Sequence, residues 1–406
     1  MNRTRLWLNL TAAASLLVLL SMARPAAAAG VQIGNEQNHL RLAVLLQGWA
    51  VFTDGKAPDG VSLDTDLYLR RLRLLFIGRL ADKVNFFVET DNPNFGKQGD
   101  FSSRTFIQDA WVELELHSAL QIDAGMLLAP FSHHGMEGAT SLHTLDYHTN
   151  LLRYPRGSNI VWRDFGVMLR GLLLDKLVEY RLAILNGVHG SPPDDQRNPR
   201  DWPRVTARLT LNLFDAEGGP GVGGFFYDGV YLQATDSGLI SPKKTLSFGF
   251  SSDWQKDLNV HSPVFGQPIQ RDDYLALAGD LFFDLPLGHE RLLALTGQVD
   301  FFYYDYGGTE TLYHNGKDAA FNPNYTGYGL LSEIGLRYDA YEILACLDWF
   351  EATEAEDNKG DLLSLYGGFN WWWRGHATSL KLQMGSSRAD GNDWVPAGKI
   401  QIQLLF

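Results

Sequence analysis

The chain has 406 residues, 45% hydrophobic and 12% aromatic, with 41 glycines, one cysteine and a formal net charge of −13. That acidic balance argues against nucleic acid as a partner, since affinity for phosphate backbones rests on clustered Lys and Arg. The lone Cys346 excludes an internal disulfide, and beyond residue 29 no run of about 18 apolar residues remains to cross a membrane as a helix.

Residues 1–29 read as a cleaved signal peptide. Arg3 and Arg5 form a basic start, Leu6 to Ala23 an interrupted apolar run, and Ala26 to Ala29 a small-residue cleavage site. Removing this segment, which holds Arg3, Arg5 and Arg24 and no acid, takes the formal charge from −13 to −16. Residues 30–406 then form one domain, rich in aromatics and glycine, in which period-2 alternation recurs throughout.

The alternation predicts sixteen strands. The first eight cover 39–53, 65–80, 83–92, 104–117, 119–128, 161–174, 177–186 and 203–214. The second eight cover 243–255, 272–285, 290–304, 327–338, 341–351, 362–374, 377–388 and 397–406. The last is typical: Ile400, Ile402, Leu404 and Phe406 share one face, and Lys399, Gln401 and Gln403 the other. An amphipathic strand ending on an aromatic suits a sheet that closes on itself and leaves no edge.

Connections alternate between long and short. The long ones are 54–64, 93–103, 129–160, 187–202, 256–271, 305–326, 352–361 and 389–396; most of the others are turns of one to four residues. Only 215–242 breaks the rule, and it reads as an elaborated connection, or as a further strand in an eighteen-stranded variant. With the N-terminus periplasmic, the long connections are extracellular. The pattern predicts an all-β fold, a closed antiparallel transmembrane barrel of 16 strands, with Trp371 to Trp373, Tyr303, Tyr304, Trp254, Tyr338 and Tyr341 near the membrane interfaces.

Strand parity assigns the lumen. Facing lipid, a charge at mid-depth costs about 2–4 kcal/mol, so charged residues must turn inward. Arg71, Arg73 and Arg79 point in while Tyr68, Leu72, Leu74 and Phe76 point out. Arg41, Arg170, Arg181, Arg204 and Arg208 also face in, as do Glu89, Asp91, Asp109, Glu113, Glu115, Glu179, Asp280, Asp300, Glu333 and Asp348. Lys399 is expected in the lumen beside Arg41.

The run Arg70-Arg-Leu-Arg-Leu with Gly78, Phe106-Ile-Gln-Asp-Ala-Trp111, Gly125 with Pro130-Phe131, Arg163-Asp164-Phe165-Gly166 and Asn186-Gly187 resembles the phosphate-selective porin family of the O and P type. That resemblance implies a sixteen-stranded channel, a homotrimer, in outer-membrane lipid; the acidic balance, for its part, suits a surface that meets divalent cations and lipopolysaccharide outside the cell. The resemblance also implies that the third extracellular loop, 129–160, folds inward to constrict the pore, and that wall arginines guide anions. Arg71 and Arg73 match the family's paired wall arginines, and Arg163-Asp164 the motif after the loop. The loop departs from the family in lacking lysine: its cations are Arg153 and Arg156, with His133, His134, His143 and His148.

Two readings of the wall arginines stay open, pairing with wall acids or guidance of ions. Protonation of the loop histidines in acid is expected to raise anion preference. The candidate pore residues are therefore Arg41, Arg71, Arg73, Arg79, Arg170, Arg181, Arg208 and Lys399, with Arg153, Arg156, Arg163 and Asp164 at the constriction; no cofactor or metal is implied. The expected function is passive diffusion of small hydrophilic or anionic solutes, phosphate among them. A structural or adhesin-like barrel, or an outer-membrane lipase or protease, is the alternative; no Gly-x-Ser-x-Gly supports an enzyme.

Overall fold

The computed structural model describes residues 30–35, 37–155, 161–190, 197–228, 232–261, 270–306, 313–314, 317–318, 326–353 and 360–406. The expected segment 1–29 lies outside them, as does Arg156.

Sixteen strands form the wall: β1 His39–Thr53, β2 Asp64–Ala81, β3 Val84–Asp91, β4 Phe106–His117, β5 Leu120–Leu128, β6 Arg163–Leu173, β7 Val178–Leu185 and β8 Arg204–Asn212, then β9 Thr245–His261, β10 Gln270–Leu287, β11 Leu293–Asp305, β12 Gly327–Tyr338, β13 Tyr341–Ala352, β14 Leu362–Trp371, β15 Thr378–Ala389 and β16 Val395–Leu405. Each pairs antiparallel with the next, and β16 pairs with β1, so the sheet closes. All sixteen expected strands are present, with ends displaced by six residues at most. The described residues of 215–242 add no wall strand; they carry a helical turn, Val222–Phe225, and a small hairpin, Gln233–Thr235 with Gly238–Ile240.

The closure is staggered. Leu405 pairs with Leu45 and Lys399 with Val51, while the short strand Val31–Gly34 continues the same edge opposite His39 to Leu42. Lys399 is thus near the long-loop end and Arg41 near the short-turn end, not side by side as expected. Alternation within a strand fixes which face a residue takes; the offset between strands 350 residues apart is a property of the closed sheet.

The surface is inverted relative to a water-soluble domain. Leu74, Val112, Phe165, Val167, Ile184, Leu209, Phe250, Ile334 and Ile343 are exposed on the outside of the wall. Arg71, Arg170, Arg181, Arg208, Asp109, Glu113 and Asp284 are buried inside it. Exposed apolar area on this scale needs an apolar medium around it.

One irregularity redirects a strand. Gln47 pairs with Arg71 but Gly48 pairs with Leu69, so Arg70 is the extra residue of a β-bulge. Parity therefore inverts on either side of it. Arg70 and Arg71 both face the lumen, and Tyr68, expected outside, lines the interior.

Candidate functional site

The third long connection turns inward after β5 and runs across the lumen as expected. Ser132, at φ +58°, caps the single helical turn His133–Met136 by accepting from the Gly135 amide at 3.0 Å. Its four histidines are each pinned to a carboxylate. His133 Nε2 lies 2.7 Å from Glu217, His134 Nδ1 2.6 Å from Glu137, and His143 Nδ1 3.0 Å from Glu342. His148 sits between two, 2.6 Å from Glu333 and 2.6 Å from Asp348.

Burial alone would push these imidazoles toward the neutral form. The adjoining carboxylates outweigh it, lifting His133 to about 9 and His148 to about 10, and raising His143. His133 and His148 are therefore already charged at neutral pH. For these two the expectation that the loop histidines gain charge on mild acidification is corrected: Glu217 holds the proton of His133, and Glu333 and Asp348 that of His148.

The same loop then crosses to the far wall. Asn370 donates to the His143 carbonyl at 2.7 Å, Lys381 to the carbonyls of Leu142 and Thr144, Gln403 to Thr140 at 3.0 Å and Gln47 to Ala139 at 3.0 Å. Asp146 is clamped by Arg70 at 2.8 Å and by Arg71. Although burial opposes its ionisation, the two guanidiniums hold its carboxyl well below the usual carboxylate range.

A second segment enters from the opposite end. The connection after β8 rises into the lumen over 217–228 and packs against the half that the loop leaves free. Arg181 donates to the carbonyls of Phe225 (2.5 Å) and Gly224 (2.9 Å), and Arg170 to those of Gly219 and Gly224. The Gly221 amide donates to Glu113 at 2.9 Å. Phe225 stacks on Trp111 with ring centres 4.3 Å apart, and Phe226 meets Phe87 edge-on at 5.5 Å. The chain doubles back so tightly that a Cβ on Gly224 would lie 2.1 Å from the Gly219 carbonyl oxygen, so only glycine fits there.

The two segments meet in mid-lumen. The Gly138 amide donates to the Tyr227 carbonyl and the Tyr227 amide to the Met136 carbonyl, both at 2.8 Å. Together they fill the middle of the barrel. Gln47, Gln401, Lys381, Asn370, Gln298 and Asp123, from six different strands, all have no exposure. The main apolar cluster, including Phe87, Trp111, Phe131, Met136, Tyr227 and Tyr304, lies inside the wall where these segments pack.

Beyond the insert the chain covers part of the short-turn mouth. The Leu239 amide donates to Asp339 at 2.7 Å in the β12–β13 turn, and Leu239 packs with the buried Trp372 after β14. At the other end a cavity of about 660 Å³ opens between the loop, β1, β2 and β14 to β16, lined among others by Trp49, Tyr68, Lys97, Asp146, Tyr366 and Lys399.

The expected pore residues are thus sorted by the structure. Arg73 pairs with Glu89 (2.7 Å) and Asp91 (3.1 Å), Arg170 with Asp123 (2.7 Å) and Glu113, Arg181 with Glu179 (2.7 Å), and Arg208 with Asp280 (2.5 Å). Pairing, one of the two readings left open, accounts for these side chains as they stand. Arg79 is partly exposed, 3.9 Å from Glu115, and with Arg41 faces the short-turn mouth. Lys399 lies 5.2 Å from the Trp49 ring centre and, among the described residues, forms no ion pair; Lys97, over Tyr68 at 5.8 Å, forms none either.

Near the constriction, Arg153 lies over the Phe350 ring at 3.4 Å. Arg163 and Asp164 belong to β6 rather than to the loop. Arg163 is held by Asp109 at 3.0 Å, and Asp164 accepts from the Gly187 amide at 2.8 Å. Among the described residues no group of three His, Cys, Asp or Glu side chains is placed to hold a metal.

Sequence reasoning missed Arg70, hidden by the bulge. It also missed Lys381, on the inner face of β15, and Arg337, which shares the inner face of β12 with Glu333. Arg337 pairs with Asp284 at 3.2 Å.

No protein-family model and no curated protein matches this chain. Solved structures do. OmpF of Salmonella typhi, in complex with daunomycin, is 10% identical over 93% of this chain and 100% of its own, with a TM-score of 0.57. The anion-selective porin from Comamonas acidovorans is 12% identical, covers 91% and 100%, and scores 0.56. The outer-membrane channel DcaP of Acinetobacter baumannii is 12% identical, covers 93% and 100%, and scores 0.53. Identities this low show the fold, that of outer-membrane barrels, and single out no family within it.

Proposed function

We propose that this protein is an outer-membrane channel for passive diffusion of small hydrophilic solutes, with a preference for anions. The carrying observation is the inverted barrel itself: an apolar outer belt around a lumen of charged side chains, with a polar vestibule at the long-loop end. Residues 1–29 serve as the export signal in this reading, and the long connections face outward from the cell among lipid and lipopolysaccharide.

The anion preference is supported by the placement of cations along one side. Lys97, Lys399 and Arg70 line the vestibule, Arg71 and Arg73 stand below them, and Arg79 and Arg41 flank the far mouth. Lys399 and Lys97 lie against aromatic faces with no ion pair among the described residues, so their charge remains available to an entering anion. Phosphate is one member of this solute class, proposed on the resemblance of residues 65–187. A trimer rests on that resemblance too, and chemical cross-linking in native membranes tests it.

Liposome swelling tests the function. Vesicles holding the full chain are expected to admit small anions faster than cations of equal size. Swelling no faster than in protein-free vesicles would overturn the channel reading, and faster cation entry would overturn the preference.

A further inference from the structure

The lumen is closed by two segments of different character. The long loop is fixed through its side chains, by the carboxylate contacts of His133, His143 and His148 and the Arg70–Asp146–Arg71 clamp, and also through carbonyls held by Gln47, Asn370, Lys381 and Gln403. The segment 217–228 is fixed largely through its backbone. Five of the seven residues 218–224 are glycine, and its carbonyl oxygens take hydrogen bonds from Arg170 and Arg181.

Those guanidinium groups point their remaining donors at the oxygens of an inserted chain. A row of carbonyls held this way presents the same acceptors that an anion would. Arg208 extends the row, donating to the Tyr227 hydroxyl at 3.2 Å. Departure of this insert of a dozen residues leaves a passage lined by Arg170, Arg181 and Arg208 together with their paired carboxylates Glu113, Asp123, Glu179 and Asp280, with the guanidinium donors that now hold the carbonyls set free. Glycines leave the backbone free to take up another path.

We propose that residues 217–228 are a removable plug whose carbonyl oxygens occupy the anion sites of Arg170 and Arg181, so that withdrawal toward the short-turn end opens the lumen and uncovers an arginine-lined anion track. This rests on the channel reading above. The plug is autoinhibitory: the arginines hold it until an anion competes for them or the joint with the long loop parts.

The test uses the full chain with Cys346→Ala, carrying Glu137→Cys and Tyr227→Cys. These two positions face each other as a bridge pair in the mid-lumen joint, which is the backbone spacing a disulfide spans. Single-channel recording in potassium phosphate compares the oxidised and reduced forms of one preparation. Oxidation should cut the open probability at least tenfold, and reduction should restore it. A second variant, Phe225→Ala with Phe226→Ala, removes the aromatic anchors of the plug and should raise open probability about tenfold. Adding Arg170→Gln and Arg181→Gln to that variant should then lower its phosphate permeability severalfold. Equal currents in the oxidised and reduced forms, or aromatic-anchor variants that open no more than the parent, would overturn the plug while the channel reading stands. Absence of current in the parent and in every variant would overturn both.

Discussion

Arg208→Ala addresses the dryness of the lumen, on which the arrangement of charges depends. The guanidinium donates twice to Asp280, at 2.5 and 2.8 Å, and also to Ser251 at 2.9 Å and Tyr227 at 3.2 Å. Gly249 lies beneath the pair; a Cβ there would stand 2.3 Å from Asp280 Oδ1. Both partners are shut away from water. Removing the arginine leaves a buried carboxylate alone, which costs about 3–5 kcal/mol, against about 0.2–1 kcal/mol for an exposed pair. Denaturant unfolding of the protein in lipid vesicles, followed by the gel shift of the folded barrel, should therefore lose at least roughly a hundredfold in the folding constant. The loss should persist in 1 M salt, because a desolvated pair is little screened. Replacing both partners, Arg208→Met with Asp280→Leu, should recover most of it. A loss below about 1 kcal/mol that disappears in high salt would refute the packed lumen.

Other outcomes follow from the same geometry. Gly249→Val should destabilise the barrel by displacing the Arg208–Asp280 pair, and its unfolding midpoint against wild type checks this. His148, held near 10 by Asp348 and Glu333, gives stability that is full below its ordinary 6.5 and lost as pH rises through 10; His148→Gln should flatten the fall in unfolding midpoint between pH 7 and 10. Asp228 in the plug is pushed up to about 6 by burial and by Glu217, with Lys243 opposing. Its neutral form favours the closed state, so that support is full below 3.8 and gone above 6. His133, which faces Glu217, Gln298, Asp280 and Tyr227, supports closure until pH passes about 9. Open probability should thus rise severalfold from pH 5 to 7.5 and again toward 9.5, and Asp228→Asn should remove the first rise; opening on acidification would contradict the assignment. Arg71→Ala with Arg73→Ala should weaken anion preference in reversal potentials, and an unchanged potential would confine those arginines to wall structure.

The wall was legible because lipid outside and charge inside force a strict alternation that each strand displays on its own. Residues 327–338 show it plainly: Ile334 and Leu336 face out, Glu333 and Arg337 in, and the strand has the expected bounds. What was not legible depends on relations between distant strands. The bulge that turns Arg70 and Tyr68 inward adds one residue opposite Gln47 and leaves no mark in the sequence. The stagger that separates Lys399 from Arg41 is set only when the sheet closes. The plug was hardest: 215–242 stood out for its length, but its Gly-rich stretch reads as a loose connection until the arginines that donate to its carbonyls are in place.

The pairing of wall charges follows the same logic. Parity put Arg170 and Glu113 on one inner surface, the structure adds Asp123 beside them, and cross-strand neighbours of opposite sign then meet. Which of them would be free for solute depended on the packing of the lumen, which the strands alone do not determine.

The central claim is a conducting, anion-preferring barrel. Single-channel recording of the purified full chain in a planar bilayer under a potassium chloride gradient tests it most directly. The account predicts discrete current steps separated by long closed periods, with a reversal potential on the anion side of zero current. A bilayer that stays silent in the presence of folded protein, or a reversal potential on the cation side, would contradict it.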